Sequence, residues 1–331
     1  MGNNMKILVT GTAGFIGFHL SRKLCELGNT VTGIDNLNDY YDVLLKEARL
    51  NEMEPYAASD QFHFIKADIS ELKDMESIFK NSQFDMVIHL AAQAGVRYSL
   101  ENPHAYVQSN IVGFMNILEC CRHSDISNMI YASSSSVYGG NTKLPFSETD
   151  RVDDPASMYA VTKRSNELMA GTYAELYGLN TIGLRFFTVY GPWGRPDMAL
   201  FKFTKNIIKK LPIPLYNHGQ HRRSFTYIDD IIECMIRLID RTQNMDGQTG
   251  CDQIYNIGGE SSIELMDYVH EIERALGEPG IYENLPLQLG DVIVTQADSG
   301  KLEDGVGYSP STSIQEGIKE FVSWYRGYYN K

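Results

Sequence analysis

Short apolar runs alternate with amphipathic stretches along the first half of the chain. Several runs have the length and β-branched content of buried strands. We predict strands at Lys6–Val9, Thr30–Ile34, Phe62–Ile65, Met86–Leu90, Met129–Ala132 and Thr181–Phe186. The segments between these runs are long enough for helices, and strands that alternate with helices form right-handed crossovers and a parallel sheet. The pattern therefore predicts an α/β fold in which a doubly wound parallel sheet carries helices on both faces.

The pattern changes after Gly191, where prolines become frequent and the apolar runs become shorter. This change predicts a smaller, mixed α/β substrate lobe. A helix at Asp229–Arg241 and a strand at Gln253–Ile257 could both return to the first lobe and complete its sheet. We therefore expect a first domain over residues 1–190, completed by about 229–257, and an interleaved second lobe over residues 191–331. Apolar residues on one helical face predict a last helix at Ser313–Tyr329.

Composition and charge exclude several classes of protein. With 43% hydrophobic and 21% charged residues, the chain has the composition of a folded protein, not of a disordered or fibrous one. A formal charge of −13 argues against a broad electrostatic contact with nucleic acid or an anionic membrane. The sequence has neither an apolar run of membrane-spanning length nor a signal-peptide pattern at its amino terminus, which predicts a cytoplasmic protein. The five cysteines lack metal-ligand spacing, so we expect reduced thiols and no metal site.

A glycine-rich turn follows the first predicted strand, with Gly11, Gly14 and Gly17 before an amphipathic helix. Glycines at these positions let the backbone approach a pyrophosphate, whose charge is favoured at the helix amino terminus. Asp35 ends the second predicted strand, where a carboxylate accepts hydrogen bonds from an adenosine ribose and repels a 2′-phosphate. The pattern predicts a Rossmann-type site for NAD rather than NADP. The alternatives are a plain structural turn for the glycines and a helix-cap or turn role for Asp35.

A tyrosine and a lysine, Tyr159 and Lys163, lie four residues apart in a segment with helical character, so they share one face. An ammonium beside a phenol favours the phenolate, which otherwise forms only near pH ~10. The serines of residues 133–136 follow a predicted strand and therefore lie at the ligand-binding edge of a parallel sheet. Chance spacing and a serine-rich turn are the alternatives for these two features.

Longer motifs connect these features to a known family. The chain resembles the extended short-chain dehydrogenase/reductases, and within them the nucleotide-sugar epimerases, nearly end to end. The motifs are GTAGFIG from Gly11, HLAAQAGVRYS from His89, SSSSVYG from Ser133, YAVTK from Tyr159, LRFFTVYGPWGRP from Leu184 and RRSFTYIDD from Arg222. The segment DNLNDYYD from Asp35 and the GVR and GRP elements are similar to those of UDP-glucuronate 4-epimerases.

The resemblance implies a catalytic triad of Ser134, Tyr159 and Lys163. Tyr159 is expected to remove the proton of the sugar C4 hydroxyl while the C4 hydride passes to NAD. Ser134 is expected to hydrogen-bond the same oxygen, and Lys163 to anchor the nicotinamide ribose and lower the tyrosine pKa. The 4-keto sugar must then rotate and take the hydride back on its other face. NAD therefore stays bound, and there is no net oxidation.

The resemblance also implies which residues bind the two ligands. For NAD they are Gly11, Gly14, Phe15, Ile16, Gly17, Asp35, Asn36, Asp68, Ile69, Leu90, Ala91, Ala92, Asn110, Ser133, Tyr159, Lys163 and Phe187. For the UDP-sugar they are Arg97, Ser134, Ser135, Ser136, Tyr159, Thr188, Arg195, Arg223 and Gln288. Arginines suit a diphosphate or a carboxylate because a planar guanidinium donates two hydrogen bonds at once.

Two positions depart from the family pattern, both on the expected uridine side. Ser224 replaces a usual acidic residue, and Leu289 replaces a usual proline. The resemblance therefore implies interconversion of UDP-glucuronate and UDP-galacturonate, an activity of polysaccharide biosynthesis, and leaves the uridine contacts less defined.

Sister activities are the main alternatives. Dehydratases carry carboxylates where this chain has Ser135 and Ser136, and UDP-glucuronate decarboxylases carry a glutamate at the position of Ser136, which weakens both interpretations. A UDP-glucose or UDP-N-acetylhexosamine 4-epimerase stays open. A noncatalytic NAD-binding regulatory protein is disfavoured because such proteins typically lack the tyrosine or the lysine, whereas this chain keeps both.

The family resemblance also implies an oligomeric state. By this resemblance, Pro103–Cys121 and Ser157–Tyr177 are expected to form the helix contact of a homodimer.

Overall fold

Across residues 4–243, 249–288 and 291–329, which the computed structural model describes, seven parallel strands form one central sheet. Its strand order is β3-β2-β1-β4-β5-β6-β11. The strands are β1 (Lys6–Thr10), β2 (Thr30–Asp35), β3 (Phe62–Lys66), β4 (Met86–His89), β5 (Asn128–Ser134), β6 (Asn180–Phe186), β7 (Thr188–Tyr190), β8 (Pro212–Tyr216), β9 (Arg222–Arg223), β10 (Phe225–Tyr227), β11 (Asp252–Ile257), β12 (Ile263–Glu264) and β13 (Ile281–Leu285). The doubly wound α/β class predicted from the sequence is confirmed.

Helices connect and cover these strands. They are α1 (Phe15–Glu26), α2 (Val43–Asn51), α3 (Glu54–Ala58), α4 (Leu72–Asn81), α5 (Tyr98–Glu101), α6 (Pro103–Tyr106), α7 (Gly113–His123), α8 (Met158–Tyr177), α9 (Ala199–Ile208), α10 (Ile228–Gln243), α11 (Leu265–Leu276), α12 (Gly300–Val306) and α13 (Ile314–Tyr329). A π-helical turn at Val107–Val112 joins α6 to α7. The predicted helix at 103–121 is thus a continuous helical segment with a local widening of its backbone.

The central strands are buried on both faces, which explains their unbroken apolar runs. In β1, Ile7 and Val9 belong to the core on one side of the sheet and Leu8 to the core on the other. Strands β1 to β6 match the predicted ones, with ends that differ by at most two residues. The strand predicted at 253–257 is β11, which pairs with β6 at the edge of the central sheet. The division of the chain into two domains stays a prediction.

The second half adds short two-stranded sheets and an aromatic core. Strand β7 pairs with β10, β8 with β13, and β9 with β12. Helix α13 packs its aromatic face on this lobe, where the Phe201 ring lies 6.0 Å from that of Phe321 and 5.2 Å from that of Tyr325. In the described part of the chain, no helix is both long and apolar enough to cross a membrane. Cys25, Cys120, Cys121 and Cys234 are buried free thiols.

Candidate active site

A cavity of about 440 Å³ opens at the carboxyl ends of the central strands. It lies between β1 and β4, where the strand order reverses, which is the usual ligand position in such sheets. Most residues predicted from the sequence line it. They are Gly11, Gly14, Phe15, Ile16, Gly17, Asp35, Asn36, Ile69, Leu90, Ala91, Ala92, Ser133, Ser134, Ser135, Ser136, Tyr159, Lys163, Phe187, Thr188, Arg195 and Arg223.

The glycine loop has no room for side chains. Gly11 has a positive φ of +75°, and a Cβ added at Gly17 would lie 2.1 Å from the Gly11 carbonyl oxygen. Helix α1 begins directly after Gly14, and no side chain caps its first turn. The backbone amides of that turn are therefore available to an anion. This tight loop before an uncapped helix fits the pyrophosphate of a dinucleotide.

Asp35 ends β2 at the edge of the cavity, and its carboxylate is held by the backbone. Its two oxygens accept hydrogen bonds from the amides of Leu37 (2.9 Å) and Ala13 (3.2 Å). Burial raises the pKa of Asp35, whereas these hydrogen bonds and the charges of Lys46 and Arg49 act in the opposite direction. A carboxylate fixed at this place is suited to the two hydroxyls of a ribose.

Asp68 and Asn110 were predicted to bind the cofactor, and in the described chain neither side chain lines the cavity. Asp68 accepts a hydrogen bond from Asn36 Nδ2 (2.8 Å) and thereby orients that cavity residue. Burial raises the pKa of Asp68, but hydrogen bonds from Asn36 and Ser70 outweigh it and leave the pKa below its usual value. Asn110 accepts from the backbone amide of Gln93 (2.8 Å), which does line the cavity. Both residues therefore act on the cavity through a neighbour.

The predicted triad is brought together on one wall. Ser134 ends β5, and Tyr159 and Lys163 lie in the first turns of α8, whose amino terminus is capped by Ser157 (3.2 Å to the amide of Ala160). The Ser134 hydroxyl accepts a hydrogen bond from the amide of Ser136 (3.1 Å), which fixes it at the turn. All three triad side chains line the cavity.

The pKa shifts of Tyr159 and Lys163 differ from those expected if the lysine ammonium alone acted on the tyrosine. Burial raises the pKa of Tyr159, while the Ser134 hydrogen bond and the positive charge of Arg195 act to lower it. Lys163 is only 2% exposed, donates to the carbonyl oxygen of Ala132 (2.8 Å), and has a pKa lowered to about 8 by burial. The cation that acts on Tyr159 to favour the phenolate is therefore Arg195. The corresponding effect of Lys163 stays a prediction.

Further hydroxyls and one paired arginine line the cavity near the triad. Ser135, Ser136 and Thr188 line the cavity without an ionisable group among them. Arg195 reaches the same cavity, but its guanidinium is paired with Asp197 at two points, Nε to Oδ1 (3.0 Å) and Nη2 to Oδ2 (2.5 Å). Arg195 therefore has a fixed orientation, and the carboxylate of Asp197 partly compensates its positive charge.

Other predicted substrate residues lie at the outer end of the site. Arg97 stacks over the Tyr216 ring (4.5 Å) and pairs with Asp291 (3.1 Å) without lining the cavity in the described chain. Arg223 lines it and donates to the carbonyl oxygen of Ile293 (2.8 Å), and burial lowers its pKa to about 10. Gln288 also lies outside the cavity lining, and its Oε1 is buried without a hydrogen-bond partner in the described residues.

Ser224 and Leu289 are the two residues that differ from the family pattern, and the structure describes only the first of them. Ser224 is fully buried, and its hydroxyl donates to the carbonyl oxygen of Gly259, so this serine is part of the packing beside the site. Leu289 lies outside the described residues.

Several cavity residues were not predicted from the sequence. They include Tyr40, Tyr41, Lys46, Gln93, Asp291, Val292 and Thr295. The two tyrosines lie in the quoted segment DNLNDYYD, so their position after Asp35 was an available signal. Asp291 had no such signal. In the described part of the chain, no group of three or more His, Cys, Asp or Glu side chains is placed to hold a metal ion.

Comparison with known proteins gives consistent matches over nearly the whole chain. The sequence matches the model of the NAD dependent epimerase/dehydratase family over residues 7–258. It is 52% identical to the protein CapI of Staphylococcus aureus, with 99% of this chain and 100% of that protein covered. It is 44% identical to a probable UDP-glucuronate 4-epimerase of Rhizobium meliloti (strain 1021), with 99% and 98% covered. The crystal structure of UDP-glucuronic acid 4-epimerase from Bacillus cereus, in complex with UDP-glucuronic acid and NAD, matches with a TM-score of 0.90, 33% identity, and 98% and 100% coverage.

Proposed function

Since the chain belongs to the NAD dependent epimerase/dehydratase family, we propose that it is a UDP-glucuronate 4-epimerase, interconverting UDP-glucuronate and UDP-galacturonate through a 4-keto intermediate. The family and the NAD dependence predicted from the sequence are confirmed. The observation that carries the proposal is the composition of the wall around Tyr159. There, hydroxyls of Ser134, Ser135, Ser136 and Thr188 line a cavity shared with the glycine loop.

The residues present fit NAD. We expect the tight glycine loop and the uncapped first turn of α1 to bind the pyrophosphate, and Asp35, which lines the same cavity, to bind the adenosine ribose. Lys163 lines the same cavity and can donate to the nicotinamide ribose once it leaves the Ala132 carbonyl oxygen. When bound, NAD accepts the hydride of sugar C4 and gives it back.

The proton of the C4 hydroxyl is assigned to Tyr159, with Ser134 hydrogen-bonded to the same oxygen. A tyrosine with a raised pKa is a poor base at neutral pH, so its phenolate must be stabilised at the moment of transfer. Ser134 and the charge of Arg195 already act in that direction. Lys163 adds a positive charge on the same face of α8 when its ammonium turns toward the site.

The carboxylate of the sugar imposes a second requirement. Oxidation at C4 makes the intermediate a β-keto acid, which loses CO₂ most readily when its carboxylate stands perpendicular to the ketone. The hydroxyls of Ser135, Ser136 and Thr188 can hold the carboxylate near the ring plane by neutral hydrogen bonds. A sugar without a carboxylate leaves these donors with a weaker partner, which is the basis for selectivity.

We also infer a cytoplasmic homodimer that supplies UDP-galacturonate for polysaccharide biosynthesis. Buried free thiols support a reducing compartment. Support for the dimer comes from large apolar side chains exposed along α8 and the neighbouring helical segment. They are Val107, Met115, Met158, Val161, Leu168 and Leu176. The four residues on α8 are separated by 3, 7 and 8 positions, a spacing that places them on one side of a helix and is typical of a face that packs on another helix.

The proposed function is tested by incubating the purified protein with a panel of UDP-sugars and following the products by NMR. We expect UDP-glucuronate and UDP-galacturonate to interconvert with little UDP-pentose, without consumption of added NAD. Faster conversion of UDP-glucose or UDP-N-acetylglucosamine would assign the neutral-sugar 4-epimerases instead. A dominant UDP-pentose product would assign a decarboxylase. Ser136→Ala and Thr188→Ala should raise the pentose fraction while epimerisation slows.

A further inference from the structure

Arg49, in α2, is the largest cationic side chain that the structure buries completely, with 0% of its surface exposed. Burial of a guanidinium costs free energy unless acceptors replace its water. In the described residues no carboxylate forms an ion pair with Arg49. Its acceptors are instead the carbonyl oxygens of Ala13 (2.7 Å), Trp193 (2.7 Å) and Gly194 (3.4 Å) and the hydroxyl of Tyr41 (2.7 Å).

These acceptors come from three segments that are distant in sequence. Ala13 belongs to the glycine loop between Gly11 and Gly14. Tyr41 belongs to the loop that follows Asp35. Trp193 and Gly194 directly precede Arg195, which lines the cavity on the substrate side. One buried cation therefore joins the backbone of the nucleotide loop to the backbone of the substrate loop.

A second hydrogen bond connects the same two loops. Tyr40 donates to Asp197 Oδ2 (3.3 Å), and Asp197 holds the guanidinium of Arg195 at two points. Tyr40 and Tyr41 are adjacent, so the loop after Asp35 is attached to the substrate loop on both sides of Arg195. A displacement of the glycine loop or of the Arg195 loop cannot occur without breaking hydrogen bonds of Arg49.

We propose that Arg49 is a positioning residue that couples the two ligand sites. A dinucleotide in the glycine loop restrains Ala13, and through Arg49 it restrains the Gly194 carbonyl and the orientation of Arg195. Coupling between two sites is reciprocal, so a nucleotide held near Arg195 and Arg223 must equally retain the dinucleotide. The inference rests on the proposed function only in taking NAD and a UDP-sugar as the two ligands.

The geometry requires an arginine and not merely a positive charge. One terminal nitrogen, Nη1, donates to Ala13 and Tyr41, and the other, Nη2, donates to Trp193 and Gly194. The planar guanidinium keeps these two directions fixed relative to each other. A lysine ammonium is a single compact donor group and cannot reach both loops at once. Arg49→Lys therefore keeps the charge and removes the connection.

The test measures how strongly UDP retains NAD. Holoenzyme is mixed with excess radiolabelled NAD, and the exchange rate of bound NAD is measured with and without saturating UDP. In the parent we expect UDP to slow exchange at least fivefold, within the range typical of coupled sites. In Arg49→Lys we expect the effect of UDP to fall below twofold, although UDP still binds by titration calorimetry. Parent-like retention in Arg49→Lys, or no effect of UDP in the parent, overturns the proposal.

Arg241→Lys is the matched control. Arg241 also donates to a distant carbonyl oxygen, that of Gly305 (2.7 Å). The Nε atoms of Arg49 and Arg241 are both buried without a partner in the described residues, but the acceptor of Arg241 belongs to neither the glycine loop nor the Arg195 loop. Its variant should retain the parent's UDP effect. Should Arg49→Lys fail to fold, Arg49→Gln decides the matter, because it removes the buried charge and leaves a single amide donor group that cannot reach both loops. A UDP effect at least threefold smaller than the parent's supports the coupling, and a parent-like effect overturns it.

The exchange assay uses UDP and needs no turnover, so it separates this inference from the proposed function. If the protein does not convert UDP-glucuronate but shows Arg49-dependent retention of NAD, the coupling proposal is supported and the proposed activity is wrong. If the protein epimerises the sugar but UDP does not slow the exchange of NAD, the proposed activity is supported and the coupling proposal is wrong.

Discussion

Asp197 holds Arg195 through two hydrogen bonds, at 3.0 Å and 2.5 Å, with side chains that are 23% and 21% exposed. Burial raises the pKa of Asp197, but the neighbouring guanidinium outweighs it and keeps that pKa below its usual value. The same guanidinium favours the phenolate of Tyr159. The pair therefore sets both the direction of a cation in the cavity and the charge that acts on the proposed base.

Asp197→Asn should slow epimerisation at least tenfold, because Arg195 loses a charged partner and its fixed orientation. We expect a loss of unfolding free energy of about 1–3 kcal/mol at pH 7, measured in urea. A depressed carboxyl pKa contributes stability above its unfolded value of ~3.9 and loses it as pH falls through the folded pKa. The difference from the parent should therefore shrink as pH falls below about 4 and vanish only below the folded pKa of Asp197.

Asp153→Asn is the control for that prediction. Arg151 and Asp153 have the same sequence spacing and a 2.5 Å contact, but their side chains are 86% and 51% exposed. The variant should match the parent in turnover and in urea. Equal effects of the two substitutions would show that burial of the Arg195–Asp197 pair has no consequence.

Tyr159→Phe should reduce turnover by ~10²–10⁴ while the fold and UDP binding persist, because only the proposed base is removed. Since the pKa of Tyr159 is raised, the parent's single-turnover rate should increase with pH above neutrality as phenolate forms. The rate is measured from the absorbance of transient NADH in the parent and the variant. A variant within tenfold of the parent would assign the base to another group.

Lys163→Met should abolish turnover and yet stabilise the nucleotide-free fold by about 1–3 kcal/mol at pH 7, because a buried ammonium is removed. The folded pKa of about 8 lies below the unfolded value of ~10.4, so the folded protein binds fewer protons between these pH values. The parent therefore gains stability as pH rises through this range, and the advantage of the variant should shrink toward zero. Thermal unfolding at several pH values measures this difference. A pH-independent difference would contradict the desolvation of Lys163.

Asp35→Ala should lose its NAD during purification, whereas its affinity for UDP should change little. The reason is that Asp35 is the carboxylate expected to bind the adenosine ribose, and it lines the cavity beside the glycine loop. Nucleotide content after acid release and UDP binding by calorimetry measure the two effects. Asp39→Asn, an exposed acid of the same loop, is the control and should keep its NAD. Full retention of NAD in Asp35→Ala would return Asp35 to the role of a turn residue.

Glu167→Gln should lower the unfolding free energy by about 3–5 kcal/mol, since it leaves Arg185 charged and buried without its partner. Glu167 pairs with Arg185 at 2.8 Å and accepts a hydrogen bond from Ser133 (2.6 Å), the residue before Ser134. Glu233→Gln removes a half-exposed pair with Arg237 (2.7 Å) and should have little effect. Urea unfolding of both variants decides whether the buried pair anchors β5.

The sequence by itself determined the features that depend on neighbouring residues. Strand periodicity predicted β1 to β6, and the ends of these strands were less certain because pairing with neighbours sets where a strand stops. The glycine loop, Asp35 after β2, and Tyr159 one turn before Lys163 are contiguous patterns whose spacing alone determines their geometry. The family resemblance added the serine and threonine side chains expected to bind the substrate, since its motifs place them near the same strand ends.

Only the tertiary structure decided which side chains are partners. Tyr40 meets Asp197 across 157 positions, and Arg49 meets Trp193 across 144, so neither contact leaves a local signal. The same holds for Arg97, which pairs with Asp291 across 194 positions, and for Lys163, which donates to Ala132 in β5. Such contacts form when chain folding brings distant loops to one sheet edge. Their identity depends on loop closure and burial, which periodicity does not encode.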